Sequence, residues 1–279
     1  MNAIKFQELT VPLRLQGLIQ AIRVAESPDQ AEGLEVKVCP GGYAGLVWAQ
    51  TRDGLAPIES IQVEGRSIQP IPRFFLHGLI TRPSIMKFSR NAYLSIQMLF
   101  KADAIRLIGQ DPNLGNFKFI SADQLGFDSL DERLLHEPLI EGKTDFLSRL
   151  IADLLDKSPV VPDKTITACV EYINSHFSTV STAGLCDRFA ISERNLERRF
   201  RASVGISAKL FVRIIRAQAA MALIRQGHYE HLSDVAMALN YYDQSHFIRE
   251  LRHFSFLSPK GVNDSTLEHH QDINGFSYL

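Results

Sequence analysis

Apolar and polar residues follow two different rhythms along this chain, and the rhythm changes near residue 128. Before it, apolar residues come in short β-rich runs at 34–38, 45–48, 58–63, 95–100 and 117–120. Turn signals separate them: PGG at 40–42, RDG at 52–54 and DPN at 111–113. Short strands at such spacing predict an antiparallel barrel or sandwich. Beyond residue 128 the period becomes helical. Phe146, Leu147, Leu150, Ile151, Leu154 and Leu155 form one wide stripe on a helix over 143–157. Pro159 and Pro162 then stop it. The resulting division is an N-terminal β-rich domain at 1–157, a linker at 158–162, a helical domain at 163–262 and a tail at 263–279.

Within 163–262 seven helical segments are predicted, at 165–176, 182–189, 193–204, 207–226, 233–239, 244–254 and a last turn from 258. Ser192 and Asp243 are good N-caps for the third and sixth, and Gly205 and Gly227 suit the ends of the third and fourth. The order is short, capped, long, short, capped, which suggests a duplication. Offset by 51, Ser192, Leu196, Arg198, Phe200, Ile206 and Ser207 meet Asp243, Phe247, Arg249, Leu251, Leu257 and Ser258. Offset by 50, Leu185, Cys186 and Phe189 meet Val235, Ala236 and Leu239, so the second copy has one extra residue within Tyr241–Tyr242.

Each copy is a short helix, a tight turn and a capped helix with apolar residues four apart. That is the pattern of a helix-turn-helix, whose second helix enters the major groove of DNA. The first copy offers Arg194, Asn195, Glu197 and Arg198 at base edges, and the second offers Gln244, Ser245, His246 and Arg249. Arg can bond guanine O6 and N7, Gln and Asn can pair with adenine, and Glu can accept from cytosine N4. Ser192, Arg199, Arg201, Arg213, Arg216 and Arg252 are candidates for phosphate contacts, which outnumber base contacts in such interfaces. Residues 207–225, as a helix rising about 1.5 Å per residue, span roughly 28 Å. Successive major grooves on one face of B-DNA lie about 34 Å apart, so this strut suits two reading helices.

Residues 163–262 resemble the DNA-binding region of the AraC/XylS family of bacterial transcription regulators. The resemblance rests on ISERNLERRFRASVGIS at 191–207 and LSDVAMALNYYDQSHFIRELRHF at 232–254, followed by SP at 258–259. It implies two helix-turn-helix units on one long helix, with the named residues facing bases or phosphates. This chain departs from the family pattern in having Asn240 and Phe256 where Gly is usual, Leu251 for Phe, and Val262 for a closing aromatic. The turn at 41–42, the HG at 77–78 and the run over 99–127 resemble, more loosely, an N-terminal regulatory β-barrel domain of some family members.

Composition narrows the remaining classes. With 45% hydrophobic and 22% charged residues the chain is globular, and its net charge of −1 conceals a surplus of four cations in 163–262, from 13 Lys/Arg against 9 Asp/Glu. No apolar run approaches the roughly 18 residues of a membrane span. No export signal is evident, and the three scattered cysteines suit a reducing compartment, so the cytoplasm is expected. Before residue 163 the only histidines are His77 and His136, too few for a metal-binding barrel. No nucleophile elbow, phosphate loop or dinucleotide fingerprint occurs. Neither a metal, a cofactor nor an enzymatic activity is expected.

The sequence therefore describes an α+β protein, a β-rich barrel or sandwich followed by an all-α double helix-turn-helix, that binds double-stranded promoter DNA as a monomer or homodimer. A small-molecule effector and RNA polymerase are further partners this reading allows. Tyr43, Trp48, Phe74, Phe75, Phe88 and Tyr93 could line an effector pocket or fill a core, and no ligand residue can be named. The stripe at 146–155 has two readings, packing on its own barrel or facing a partner chain. The competing functions are control by a protein partner through the N-terminal domain, and an enzymatic or ligand-binding N-terminal module fused to a DNA-binding domain.

Overall fold

The computed structural model describes residues 4–30, 33–112, 119–127, 130–227, 229–263, 269–272 and 275–278. The N-terminal part holds β1 (Lys5–Leu9), β2 (Ile19–Ser27), β3 (Leu34–Val38), β4 (Ala44–Thr51), β5 (Ile58–Val63), β6 (Arg66–Ile68), β7 (Phe74–His77), β8 (Ser84–Phe88), β9 (Tyr93–Phe100) and β10 (Phe119–Ser121). Among the described residues, α1 (Ala104–Leu107), α2 (Leu130–His136) and α3 (Ile140–Lys157) accompany them. Two antiparallel sheets result, one ordered β1-β2-β9-β4-β7-β10 and the other containing β3-β8-β5-β6.

Side-chain alternation explains how the sheets are covered. On β4, Val47 and Ala49 face Ile58, Ile61 and Val63 of the second sheet, while Leu46 and Trp48 face Leu147, Leu150 and Ile151 of α3. The middle of the first sheet is thus buried on both faces, while its edge strand β1 is exposed. Strands β1, β2, β6, β7 and β8 lie outside the predicted runs. In β2 and β7 two-sided burial puts apolar residues on both phases of the strand, and the period of two that identifies a strand disappears. Strand β10 covers Phe119 and Ile120 of the predicted run at 117–120, and Phe117 and Lys118 lie outside the described residues. Trp48, Phe74 and Phe75 are fully buried core, and Phe88 stacks on Tyr93. The stripe at 146–155 is covered by its own chain: Leu147, Leu150 and Ile151 are buried, and Phe146, Leu154 and Leu155 pack against the same cluster.

The helical part is α4 (Lys164–Ser175), α5 (Thr182–Arg188), α6 (Glu193–Val204), α7 (Ala208–Gln226), α8 (Leu232–Ala238), α9 (Gln244–Ser255) and α10 (Pro259–Val262). These match the predicted segments to within two residues, because nearly every helix start carries a side-chain cap. Asp163, Ser181, Ser192, Ser207, Asp243 and Ser258 each accept a hydrogen bond from the backbone N–H three residues on. Such a cap is worth about 1 kcal/mol. Two cores form, one around Ile166, Leu185, Leu196, Phe200 and Phe211, the other around Met221, Ile224, Val235, Phe247 and Leu251. Helix α7 contributes to both. Val262 is buried in the second core. Cys39 and Cys169 are buried and Cys186 is half-buried, all three as free thiols.

The chain then returns to its beginning. Strands β11 (His269–Asp272) and β12 (Gly275–Tyr278) form a hairpin, and β12 pairs with β3 in the register Ser277 to Val38 and Tyr278 to Lys37. Side chains add further ties between the two parts. Leu79 and Ala102 join the core of α4 to α7, and Cys39 joins that of α7 to α9. Gln218 of α7 donates to the Pro40 carbonyl, Arg106 donates to the Ala202 carbonyl at 3.1 Å, and Thr167 donates to Asp103 at 2.5 Å.

Candidate nucleic-acid interface

Helices α6 and α9 are amphipathic in the same way. Leu196, Phe200, Ser203 and Val204 bury one side of α6, and Phe247, Leu251, Phe254 and Ser255 bury the equivalent side of α9. The opposite sides carry the sequence-predicted residues. Arg194, Asn195, Arg198, Gln244, Ser245 and Arg249 are exposed. Their side chains make no hydrogen bond or ion pair to other described residues. Glu197 is half-buried and pairs with Arg201 one turn on, at 2.5 Å. Such an exposed pair is weak enough to open against a stronger partner. His246 is half-buried, with its ring edge-on to Tyr241 at 5.4 Å. Arg252 is exposed near the end of α9.

Besides Arg201, four of the phosphate candidates have partners inside the protein. Arg199 donates twice to Asp163, at 2.8 and 2.5 Å, tying α6 to the cap of α4. Those hydrogen bonds hold the Asp163 carboxyl below its usual range, and they raise Arg199 above its own. Arg213 donates to both oxygens of Glu250 at 2.9 and 2.8 Å, and its guanidinium lies 5.3 Å from the centre of the Phe254 ring. Burial pushes the Glu250 carboxyl up, but the hydrogen bonds and charge of Arg213 outweigh it, so the net displacement is downward. Arg216 donates to the carbonyls of Phe177 and Val180 at 3.2 and 3.0 Å, which fastens α7 to the loop between α4 and α5. Ser192 uses its hydroxyl to cap α6.

The sequence named these arginines by position on a helix but not their partners, because Asp163 lies 36 residues from Arg199, and Glu250 lies 37 from Arg213. Only the fold joins them. An arginine paired with a half-buried carboxylate two helices away leaves no local pattern.

The turns of the two units coincide. Ala190 and Asn240 are both left-handed, with φ of 48° and 55°, and the residues after them are both buried, Ile191 and Tyr241. Gly205 and Phe256 close the two reading helices, again both left-handed, at φ 85° and 60°. Among the described residues no group of three or more His, Cys, Asp and Glu could hold a metal ion, and no helix is long and apolar enough to cross a membrane.

A family model described as a helix-turn-helix domain matches residues 185–264. Among solved structures, the C-terminal domain of AraT, a response regulator from Geobacillus stearothermophilus, is 21% identical over 41% of this chain and 98% of its own, with a TM-score of 0.34. A probable AraC family transcriptional regulator from Rhodopseudomonas palustris is 22% identical over 36% of this chain and 95% of its own, with a TM-score of 0.33. ToxT from Vibrio cholerae is 13% identical over 85% of this chain and 95% of its own, with a TM-score of 0.46. No curated protein matches the sequence. Residues 185–264 are a helix-turn-helix domain that takes in both α6 and α9.

Proposed function

We propose that α6 and α9 read two successive major grooves of promoter DNA from one chain. The observation that carries this reading is the pair of capped helices, on units joined by the 19-residue α7, whose outward faces expose Arg194, Asn195, Arg198, Gln244, Ser245 and Arg249. Arg194, Asn195, Glu197 and Arg198 would meet one half-site, and Gln244, Ser245, His246 and Arg249 the other. Arg201 and Arg252 are the exposed cations for the phosphates. Base contacts would supply preference and phosphate neutralisation most of the affinity. Selection of bound duplexes from a random pool tests this. A bipartite site with half-sites about one helical turn apart is expected, and enrichment of a single half-site, or of none, defeats it.

The N-terminal part is the proposed controlling module, since the β12–β3 pairing and the Gln218, Arg106 and Thr167 bonds fasten it to the reading domain. A small ligand bound there would act by changing these contacts. A ligand-induced thermal shift without turnover separates this reading from an enzymatic one.

A further inference from the structure

The second helix-turn-helix is one residue longer than the first, and the structure identifies the extra residue. Up to the turn the units superpose at an offset of 50: the Ile191 N–H donates to the Cys186 carbonyl at 3.0 Å, and the Tyr241 N–H donates to the Ala236 carbonyl at 2.9 Å. Ile191 and Tyr241 are each 9% exposed. From the cap onward the offset is 51, with Ser192 accepting from the Asn195 N–H and Asp243 from the His246 N–H. Tyr242 alone has no counterpart.

Tyr242 is 92% exposed and lies immediately before the cap of α9. On α8, Met237 is 77% exposed where the first unit has Asp187. A lone exposed apolar side chain is ordinary, so exposure by itself decides nothing. Position does, because the N-terminal end of a reading helix is the end that enters the groove. An aromatic ring inserted there finds one apolar group on the base edges, the 5-methyl of thymine.

We infer that Tyr242 is a specificity-determining residue whose ring packs on a thymine methyl in the half-site read by α9. The inference rests on the proposed DNA reading. The first unit, lacking the insertion, has no equivalent contact, so the two half-sites differ in their demand for thymine.

The test uses the full chain and the selected duplex, with each thymine of the α9 half-site replaced in turn by deoxyuracil, which removes only the methyl. One replacement should weaken the wild type about fourfold, the worth of one buried methyl. Tyr242→Ala should bind the unmodified duplex roughly tenfold more weakly, within the range of a single base contact, and should be indifferent to that same replacement. Tyr242→Phe should behave as wild type. Equal uracil penalties in wild type and Tyr242→Ala overturn the inference, as does Tyr242→Ala binding every duplex as tightly as wild type. Tyr242→Phe as weak as Tyr242→Ala also overturns it, since the hydroxyl and not the ring would then be in contact. A wild-type chain that enriches no sequence defeats the DNA reading and this inference together, whereas a normal selection with an indifferent Tyr242 defeats the inference alone.

Discussion

Arg213 of the long helix grips Glu250 of the second reading helix through two parallel hydrogen bonds, 2.9 and 2.8 Å long. This clamp sets how α9 projects from α7. Arg213→Ala should therefore lower stability by about 1–2 kcal/mol, between the worth of an exposed and a buried pair. Arg216→Ala should act similarly by freeing the carbonyls of Phe177 and Val180. Thermal melts check both. A salt slope of DNA binding that falls by about one contact for Arg213→Ala, with an unchanged melt, would show a phosphate role instead.

Acid should loosen the same clamp. Glu250 is held below its ordinary value of 4.5, so the unfolded chain binds the proton more readily than the folded one. The clamp's contribution is complete above pH 4.5 and is lost as pH falls through the lower folded value. Melting temperature followed from pH 6 to 3 should fall less steeply for Glu250→Gln than for wild type. Identical slopes would mean that Asp163 and other carboxylates govern this range.

The exposed arginines should separate by position. Arg249→Ala is expected to cost about 1–3 kcal/mol on the selected duplex and little on random DNA. Arg252→Ala is expected to weaken both alike and to reduce the salt slope by about one. Neither should move the melting temperature, since both side chains are exposed. Gel-shift titrations at two salt concentrations resolve the pair, and equal losses on specific and random DNA for Arg249→Ala would remove it from base reading.

These predictions divide along the line between what local sequence can specify and what only packing can. Helix α6 is legible because Ser192, Leu196, Phe200 and Gly205 mark its start, face and end within fourteen residues. Strand β2 is not, because burial on both sides leaves only Gln20 and Glu26 exposed, too far apart to mark a period of two. The reading faces were visible as periodic polar positions. Which arginines are free to use was not, because Asp163 and Glu250 occupy two of them across more than thirty residues. Pairing of the tail hairpin with β3 lay further out of reach, since that ladder joins residues at opposite ends of the chain.

His253 sits on the inward side of α9, where the Arg82 guanidinium donates to its ring and Arg82 also pairs with Glu64 at 3.2 Å. Burial, then the charges of Arg82 and Arg213, hold this imidazole below 6.5. The neutral ring thus favours the folded chain above pH 6.5, and the contribution is lost as pH falls through the lower folded value. His77, lowered by burial, adds in the same direction. His253→Gln should retain only the His77 share of the stability lost between pH 7 and 5. An unchanged pH profile would show that His253 does not titrate against folding.

Phe256 closes α9 in the left-handed conformation at φ 60°, where Gly205 closes α6 at φ 85°. A side chain in this region meets the following carbonyl and costs roughly 1–2 kcal/mol, which glycine avoids. Phe256 is 50% exposed, so only part of its ring would lose contact on removal. The strain relieved should exceed the burial lost, and Phe256→Gly is expected to stabilise the chain by about 0.5–1 kcal/mol. Gly205→Ala should do the reverse by about 1 kcal/mol. Denaturant unfolding of both variants gives the signs directly. A Phe256→Gly chain less stable than wild type would mean that the half-buried ring contributes more than its backbone costs, and would make the departure from glycine at this position a stabilising one.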